Sequence, residues 1–257
     1  MMLTHPLLPK LKELRLSGML HSLEERAALA QQQQLSPVEF LALLLEDELE
    51  RRHQRTQARR QKEAGFEYLK TIADFDFAAV PTLDKALVLE MATCAFIAAN
   101  ENWLICGPTG VGKSHLATAI GYEAIRRGMK VLSFATHRLL AQLLAARADG
   151  SHHKLLTKLT AVELLIIDDF GLRPISVQGA EDLYELIARR YERGSILLTS
   201  NRAPSEWADV FGDALLASAA LDRLTHHARV TPITGESYRQ RHRKREVKPL
   251  TKTTSKQ

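Results

Sequence analysis

The chain has 257 residues, of which 45% are hydrophobic and 25% charged, and this composition excludes a wholly disordered protein. Its longest apolar runs fall far short of the roughly 18 residues that a membrane-spanning helix needs. The net charge is +5, yet residues 239–257 alone carry eight Lys or Arg and one Glu, so the basic character lies in a tail. The two cysteines, Cys94 and Cys106, show no disulfide or zinc spacing, and the start lacks a signal-peptide pattern. We therefore expect a cytoplasmic protein with two buried thiols.

The first third of the sequence is predicted to be helical. Leucines recur at roughly helical spacing over residues 6–34, and Gly18 is interpreted as a tolerated interruption. A second helix is predicted to begin after Ser36, because Pro37 suits the first helical position and Glu39 completes a capping box.

The second half of this helix carries a line of cations. They are spaced by four, four and three residues, which places them on one helix face: Arg51, Arg55, Arg59 and Lys62. The sequence leaves two interpretations open. The face is either a surface for nucleic acid or an acidic partner, or a solvated face with ion pairs to Asp47 and Glu48.

An α/β domain is predicted to follow. Asp and Pro residues interrupt the helical pattern between 74 and 84, so we place the domain entry near residue 67. Five strand-like segments then alternate with helical ones: NWLIC, KVLSFA, LLIID, SILLTS and ARVTPIT. This alternation predicts a parallel sheet flanked by helices. The expected domains are 1–66, helical; 67–241, α/β; and 242–257, a basic tail.

The segment GPTGVGKS matches the phosphate-binding pattern G-x-x-x-x-G-K-[ST] in full, between a predicted strand and a predicted helix. Glycines permit a tight turn whose N–H groups face phosphate oxygens, and the helix N-terminus adds its positive dipole end. Lys113 is predicted to contact the β- and γ-phosphates and Ser114 to ligate Mg²⁺. The predicted nucleotide-binding residues are Gly107, Pro108, Thr109, Gly110, Val111, Gly112, Lys113 and Ser114.

Acidic and polar residues at two later strand ends complete the predicted site. Asp168 is placed to hold the magnesium shell, and Asp169 to orient or deprotonate the attacking water. The trio Thr199, Ser200 and Asn201 either hydrogen-bonds that water or forms a turn, and the sequence leaves both open. No NKxD guanine-reading motif follows the loop, which favours ATP over GTP.

Six segments occur in this order: GPTGVGKSHLA, LLIIDDFG, LYELIARRYE, LLTSNRAPSEW, LDRLTHHA and TGESYR. Over about residues 7–241 they resemble the IstB-type helper ATPases of insertion sequences, relatives of the DnaC helicase loaders within the AAA+ superfamily. The resemblance implies an AAA+ P-loop fold behind a small helical domain. It also implies that Asn201 is sensor 1, that Arg223 is an arginine finger in the neighbouring subunit's site, and that Arg239 is sensor 2. Asp169 stands where many AAA+ enzymes carry Glu, and this substitution is shared by the clade.

The resemblance further implies an ATP-dependent regulator of transposition. Such a protein would form homo-oligomers on double-stranded DNA and recruit or stimulate a transposase. The sequence itself shows no clustered acidic triad outside the phosphate-binding region, so we do not expect the protein to cut or join DNA. The alternative is a DnaC-like replicative helicase loader. A small-molecule kinase is the third possibility, and the adjacent Asp pair and the candidate finger Arg223 argue against it.

Histidines and other cations raise two further questions. By resemblance, the helical insertion after KVLSFA is expected to meet DNA, and this interpretation is favoured over the alternative of ordinary amphipathic packing. Its polar candidates are His137, Arg138, Arg147, His152, His153, Lys154 and Lys158. The pairs His152-His153 and His226-His227 are not expected to bind a metal, because helix neighbours diverge by about 100° and no carboxylate or cysteine completes a ligand set.

Overall fold

The computed structural model describes residues 6–238, and the chain divides into two compact units after Arg60. The first, the helical unit, contains α1 (Leu7–Glu13), α2 (Ser17–Gln33) and most of α3 (Pro37–Ala64). A small apolar core of Met19, Leu23 and Leu44 holds these helices together. Leu8, Leu11, Leu16 and Phe40 pack against that core.

The predicted single helix over residues 6–34 is wrong. The chain breaks between α1 and α2, where Arg15 has a φ of +58°, a left-handed conformation that cannot continue a right-handed helix. Gly18 does not interrupt a helix, because it lies in the first turn of α2. A Cβ at Gly18 would lie 2.5 Å from the Cα of Glu48, so glycine is what allows α2 and α3 to approach.

The predicted capping box at the start of α3 is confirmed. The N–H of Ser36 donates to Oε2 of Glu39 at 2.8 Å, and the N–H of Glu39 donates to Oγ of Ser36 at 3.3 Å. Two of the donors that a helix N-terminus leaves without partners are thereby satisfied.

The second unit, the α/β unit, is built on a five-stranded sheet. Its strands are β1 (Asn102–Cys106), β2 (Val131–Ala135), β3 (Leu164–Phe170), β4 (Ser195–Ser200) and β5 (Ala228–Pro232). All described pairings are parallel, and the order is β2-β3-β4-β1-β5. The predicted α/β fold with a parallel sheet is confirmed.

Helices cover both faces of this sheet, as buried parallel strands require. They are α4 (Lys85–Met91), α5 (Ala95–Ala98), α6 (Lys113–Arg126), α7 (Thr136–Ala148), α8 (His152–Thr160), α9 (Val177–Arg190), α10 (Trp207–Phe211) and α11 (Ala214–His226). Alternate residues of each strand point to opposite faces, so Leu104 and Ile167 join the core beneath α7 to α11, whereas Ile105 and Ile166 join the core beneath α4 to α6.

The state of the cysteines and the character of the helices both bear on what the composition predicts. Cys94 and Cys106 are both buried, and burial raises the pKa of each thiol to about 11, which confirms the predicted buried thiols. Among residues 6–238, none of the helices combines the length and apolarity that crossing a bilayer requires.

Candidate nucleotide-binding site

The phosphate-binding loop connects β1 to α6 at the carboxyl edge of the sheet. Gly112 comes directly before α6 with a φ of +98°, and a Cβ there would meet the Phe75 ring at 2.6 Å. Only glycine combines that conformation with that close approach. Because α6 begins at Lys113, its partnerless N–H groups and its positive dipole end lie at the loop, where an anion binds most favourably.

Lys113 is the buried cation of this loop, with 4% of its surface exposed. Its Nζ donates to the carbonyls of Gly107 and Pro108, both at 2.8 Å, and to Oδ1 of Asn201 at 2.7 Å. Burial lowers the pKa of Lys113, while the two nearby carboxylates at the end of β3 act in the opposite direction. The ammonium is therefore fixed between the loop and the end of β4.

Ser114 and Asp168 meet as the sequence predicts. Oγ of Ser114 donates to Oδ1 of Asp168 at 2.9 Å, across 54 residues of sequence. The hydroxyl of Thr136 donates to the backbone oxygen of Asp168 at 2.8 Å and holds this strand end in place. A hydroxyl beside a carboxylate is a pair of hard oxygen donors, so its chemistry fits Mg²⁺.

The polar trio at the end of β4 divides its contacts. Oγ1 of Thr199 donates to the Asp168 carboxylate and accepts the N–H of Asp169 at 3.0 Å. Oγ of Ser200 donates to the Phe170 carbonyl at 2.9 Å, and so supports the turn rather than the site. Asn201 reaches the site through Lys113. Sequence reasoning named Thr199 but did not foresee its contact with both aspartates.

Arg223 lies on the opposite side of the sheet from α6. Its Nη1 donates to the Ala219 carbonyl at 2.9 Å, and its guanidinium carbon lies 5.3 Å from the ring centroid of Tyr184. Both contacts are with α9 and α11, whose buried side chains pack on the other face of the sheet. The structure thus does not bring Arg223 together with Lys113 in this chain.

Arg239 lies outside the described residues, and so does the predicted tail from residue 242. The residue before it reaches the phosphate-binding loop: the N–H of Tyr238 donates to the Gly110 carbonyl at 3.0 Å.

Several cations that the sequence offered for DNA have carboxylate partners. Arg138 pairs with Glu67 at 2.7 Å. The buried carboxylate of Asp182 accepts from Nε of Arg147 at 2.7 Å and lies 3.1 Å from Nε2 of His152. The remaining candidates of the insertion are exposed: His137, His153, Lys154 and Lys158.

The cation line on α3 does not form the ion pairs that the sequence suggested. Asp47 pairs with Arg26 of α2 at 2.7 Å, and Glu48 pairs with Arg52 at 2.7 Å, so both carboxylates bind arginines outside the line. Arg51 is half-buried, whereas the other three members are exposed.

The sequence predicts no carboxylate beside the histidine pairs, and this prediction is wrong because the fold brings carboxylates next to both pairs. Glu192 lies beside His226 and His227, and both Asp182 and Glu185 lie beside His152. Within each group the potential ligand atoms lie within 4.8 Å of one another. These carboxylates come from α9 or the residues just after it, far from the histidines in sequence, which is why adjacency did not reveal them.

Comparison with known proteins identifies the family. The profile of the IstB-like ATP binding protein family matches residues 9–246. The chain belongs to this family. It is 41% identical over 249 residues to the IS21 insertion-sequence ATP-binding protein of Pseudomonas aeruginosa, covering 97% of this chain and 92% of that protein. It is 40% identical to an insertion-sequence ATP-binding protein of Mycobacterium tuberculosis, covering 91% and 93% of the two chains.

Solved structures of more distant proteins share the fold of this IstB-like protein. DnaI superposes with a TM-score of 0.55 at 21% identity, over 64% of this chain and 91% of that one. DnaA from Aquifex aeolicus bound to AMPPCP gives a TM-score of 0.53 at 22% identity, over 72% and 59%. The AAA+ P-loop fold that the family resemblance implies is thereby confirmed.

Proposed function

We propose that this IstB-like protein is an Mg²⁺-dependent ATPase that assembles on double-stranded DNA and recruits or stimulates a transposase. One observation carries the proposal: Lys113, Ser114, Asp168 and Asn201 come from three separate segments and meet at one edge of the sheet. The relatives in insertion sequences support transposition as the setting.

In this proposal each side chain has a distinct part in phosphoryl transfer, which depends mainly on positioning and charge neutralisation. Lys113 provides a fixed positive charge for the phosphates. Ser114 and Asp168 would hold Mg²⁺, which neutralises charge on the phosphate oxygens when it is bound. Asp169 orients the attacking water or accepts its proton, and Asn201 hydrogen-bonds that water.

The proposal includes a homo-oligomer, because Arg223 is assigned to a neighbouring subunit's site. Its place on α11, across the sheet from its own phosphate-binding loop, supports an action in trans. Arg239 is assigned to the nucleotide of its own subunit. The bond between Tyr238 and the loop supports that assignment, since the preceding residue is already held there.

The DNA surface is proposed from charge. Residues 239–257 carry eight Lys or Arg against one Glu, and duplex binding gains affinity from each phosphate that a cation neutralises. The exposed members of the insertion, His137, His153, Lys154 and Lys158, are the second proposed contact.

The decisive experiment is electron microscopy of the protein with duplex DNA, with and without a non-hydrolysable ATP analogue. We expect assemblies on DNA only with the analogue. Lys113→Ala should lose them, because the phosphates lose their fixed cation, whereas Lys12→Ala, which removes an exposed charge from α1, should keep them. Assemblies of Lys113→Ala that still depend on the analogue would contradict the site. Capture of a replicative helicase instead of a transposase would replace the transposition role with a loader.

The trans assignment of Arg223 has its own test. Arg223→Ala should bind the ATP analogue normally but lose hydrolysis by about 10³-fold or more, the usual effect of a missing finger. Mixing it with Asp169→Asn should restore part of the activity, because one subunit then supplies the finger and the other the acid. The control is Arg223→Ala protein mixed with a second sample of Arg223→Ala, because no subunit in that mixture supplies the finger. A mixture as inactive as that control would contradict an action in trans.

A further inference from the structure

In the pairing of β3 with β4, Thr199 faces two residues of β3 instead of one. Ile167 pairs with Leu198 and Phe170 pairs with Ser200, so two residues of β3, Asp168 and Asp169, face the single residue Thr199. This is a β-bulge, a feature that re-aims side chains and often lies beside active sites. At the bulge Asp169 takes a φ of +57°, which regular strand pairing does not allow.

One oxygen atom connects the two aspartates at this bulge. Oγ1 of Thr199 donates its proton to the carboxylate of Asp168 and accepts the backbone N–H of Asp169 at 3.0 Å. Ser114 donates to the same Asp168 oxygen that Thr199 contacts. The carboxylate of Asp168 is therefore oriented from two sides, and the backbone of Asp169 is fixed by the atom that orients its neighbour.

Packing alone does not explain a hydroxyl at this position. Thr199 is fully buried near the end of the central strand β4, and valine has nearly the same shape and suits a buried strand at least as well. A buried hydroxyl is costly unless it is hydrogen-bonded, and here both of its bonds go to the acid pair.

We propose that Thr199 is the positioning residue of the acid pair. Its hydroxyl presets the Asp168 carboxylate for Mg²⁺ and holds the bulge that places Asp169 for the attacking water. This inference rests on the proposed ATPase function. It adds to that function the requirement for a hydroxyl at position 199, which lies outside the phosphate-binding loop motif.

The test measures the Mg²⁺ requirement for binding of a fluorescent, non-hydrolysable ATP analogue to the full chain, beside binding in EDTA and the rate of ATP hydrolysis. Thr199→Val removes both hydrogen bonds at nearly constant shape. Thr199→Ser keeps the hydroxyl, and Thr199→Cys replaces it with a weakly bonding thiol of similar size. Ser195→Ala is the matched control, because it removes a fully buried hydroxyl from the opposite end of β4.

We expect Thr199→Val to raise the half-saturating Mg²⁺ concentration about 10–100-fold, the usual effect of losing a group that orients a metal ligand, and to lower kcat. Binding in EDTA should not change, because Lys113 and the loop are intact. Thr199→Ser and Ser195→Ala should keep the wild-type requirement. If Thr199→Val does not fold in thermal unfolding, the comparison of Thr199→Cys with Thr199→Ser makes the same test.

Two results would overturn the inference, and they differ from failure of the proposed function. The first is a wild-type Mg²⁺ requirement in both Thr199→Val and Thr199→Cys. The second is a shift in Ser195→Ala as large as that in Thr199→Val. Wild-type protein that binds no nucleotide, or binds it with no response to Mg²⁺, would refute the ATPase function as well.

Discussion

The helical unit and the α/β unit each bury a charged side chain that satisfies backbone groups at a helix end, and the two charges have opposite signs. In the helical unit, Oε2 of Glu48 accepts the N–H of Gly18 at 2.6 Å in the first turn of α2, which has no side-chain cap of its own. In the α/β unit, Arg190 donates to four carbonyls around the end of α8 and the starts of β3 and β4. They belong to Leu159 at 2.7 Å, Val162 at 3.0 Å, Glu163 at 3.2 Å and Ser195 at 2.7 Å.

The two sites follow the polarity of the α-helix. Helix N-termini leave N–H groups without partners and favour anions, whereas C-termini leave carbonyls and favour cations. Burial acts most strongly on Glu48 and raises its pKa, but hydrogen bonds from Arg52, Gly18 and Met19 together leave that pKa lowered. Burial lowers the pKa of Arg190 to about 10, so it remains a cation at neutral pH. Both units thus rely on a charge from a distant element where a local cap is missing.

The largest effect is expected from Arg190→Ala. Four carbonyls lose a charged donor inside the core, so we expect a loss of about 3–5 kcal/mol in the free energy of unfolding. Urea unfolding followed by tryptophan fluorescence reports on this unit alone, because Trp103 and Trp207 both lie in it. Arg189→Ala is the control: it removes a partly exposed i,i+4 pair with Glu185 and should cost under about 1 kcal/mol. Equal losses in the two variants would show that Arg190 does not organise these ends.

Much of the α/β unit could be predicted because its signals are local. The five strands were placed by apolar runs, and α6 by the loop motif that precedes it. Other features depend on contacts between distant residues. The short helices α4 and α5 follow a stretch that Asp and Pro residues interrupt, and with seven and four residues each is too short to show helical periodicity. The break at Arg15 carries no proline or glycine, so the leucine pattern runs through it unmarked.

A smaller effect is expected in the helical unit, where Glu48→Ala leaves the first N–H groups of α2 without their acceptor. We expect about 1–3 kcal/mol of destabilisation, the penalty for an unsatisfied buried donor. Hydrogen exchange of peptides from α2 measures this destabilisation without interference from the α/β unit. Glu46→Ala changes an exposed acid of the same helix and is the control. Unchanged protection of α2 in Glu48→Ala would mean that the apolar core alone orders this unit.

The candidate site shows the same division between local and distant information. The loop, Asp168 and Asn201 could be found by motif and by strand end, because parallel strands bring their carboxyl ends to one edge. The bridge through Thr199 could not, since it depends on a bulge that exists only when β3 pairs with β4. Glu192 beside His226 and His227 was missed because it is distant from both histidines in sequence and only the fold brings it to them. Spacing locates groups on one element, and only the fold brings elements together.

The smallest effect is expected at the surface of the helical unit, where Arg26 of α2 contacts Asp47 of α3. The hydrogen bond from Arg26 is the main cause that lowers the pKa of Asp47 to about 2. Because this pKa lies below the unfolded value of about 3.9, the stabilisation is fully present above that value and is lost as the pH falls through about 2. The pair is partly exposed, so Asp47→Asn should cost only about 0.5–1 kcal/mol at neutral pH. Exchange of α2 amides, corrected for the intrinsic rate at each pH, should show this difference between variant and wild type shrinking between pH 4 and pH 2. Arg26→Gln should behave like Asp47→Asn, and a difference that persists at pH 2 would separate the stability of α2 from this ion pair.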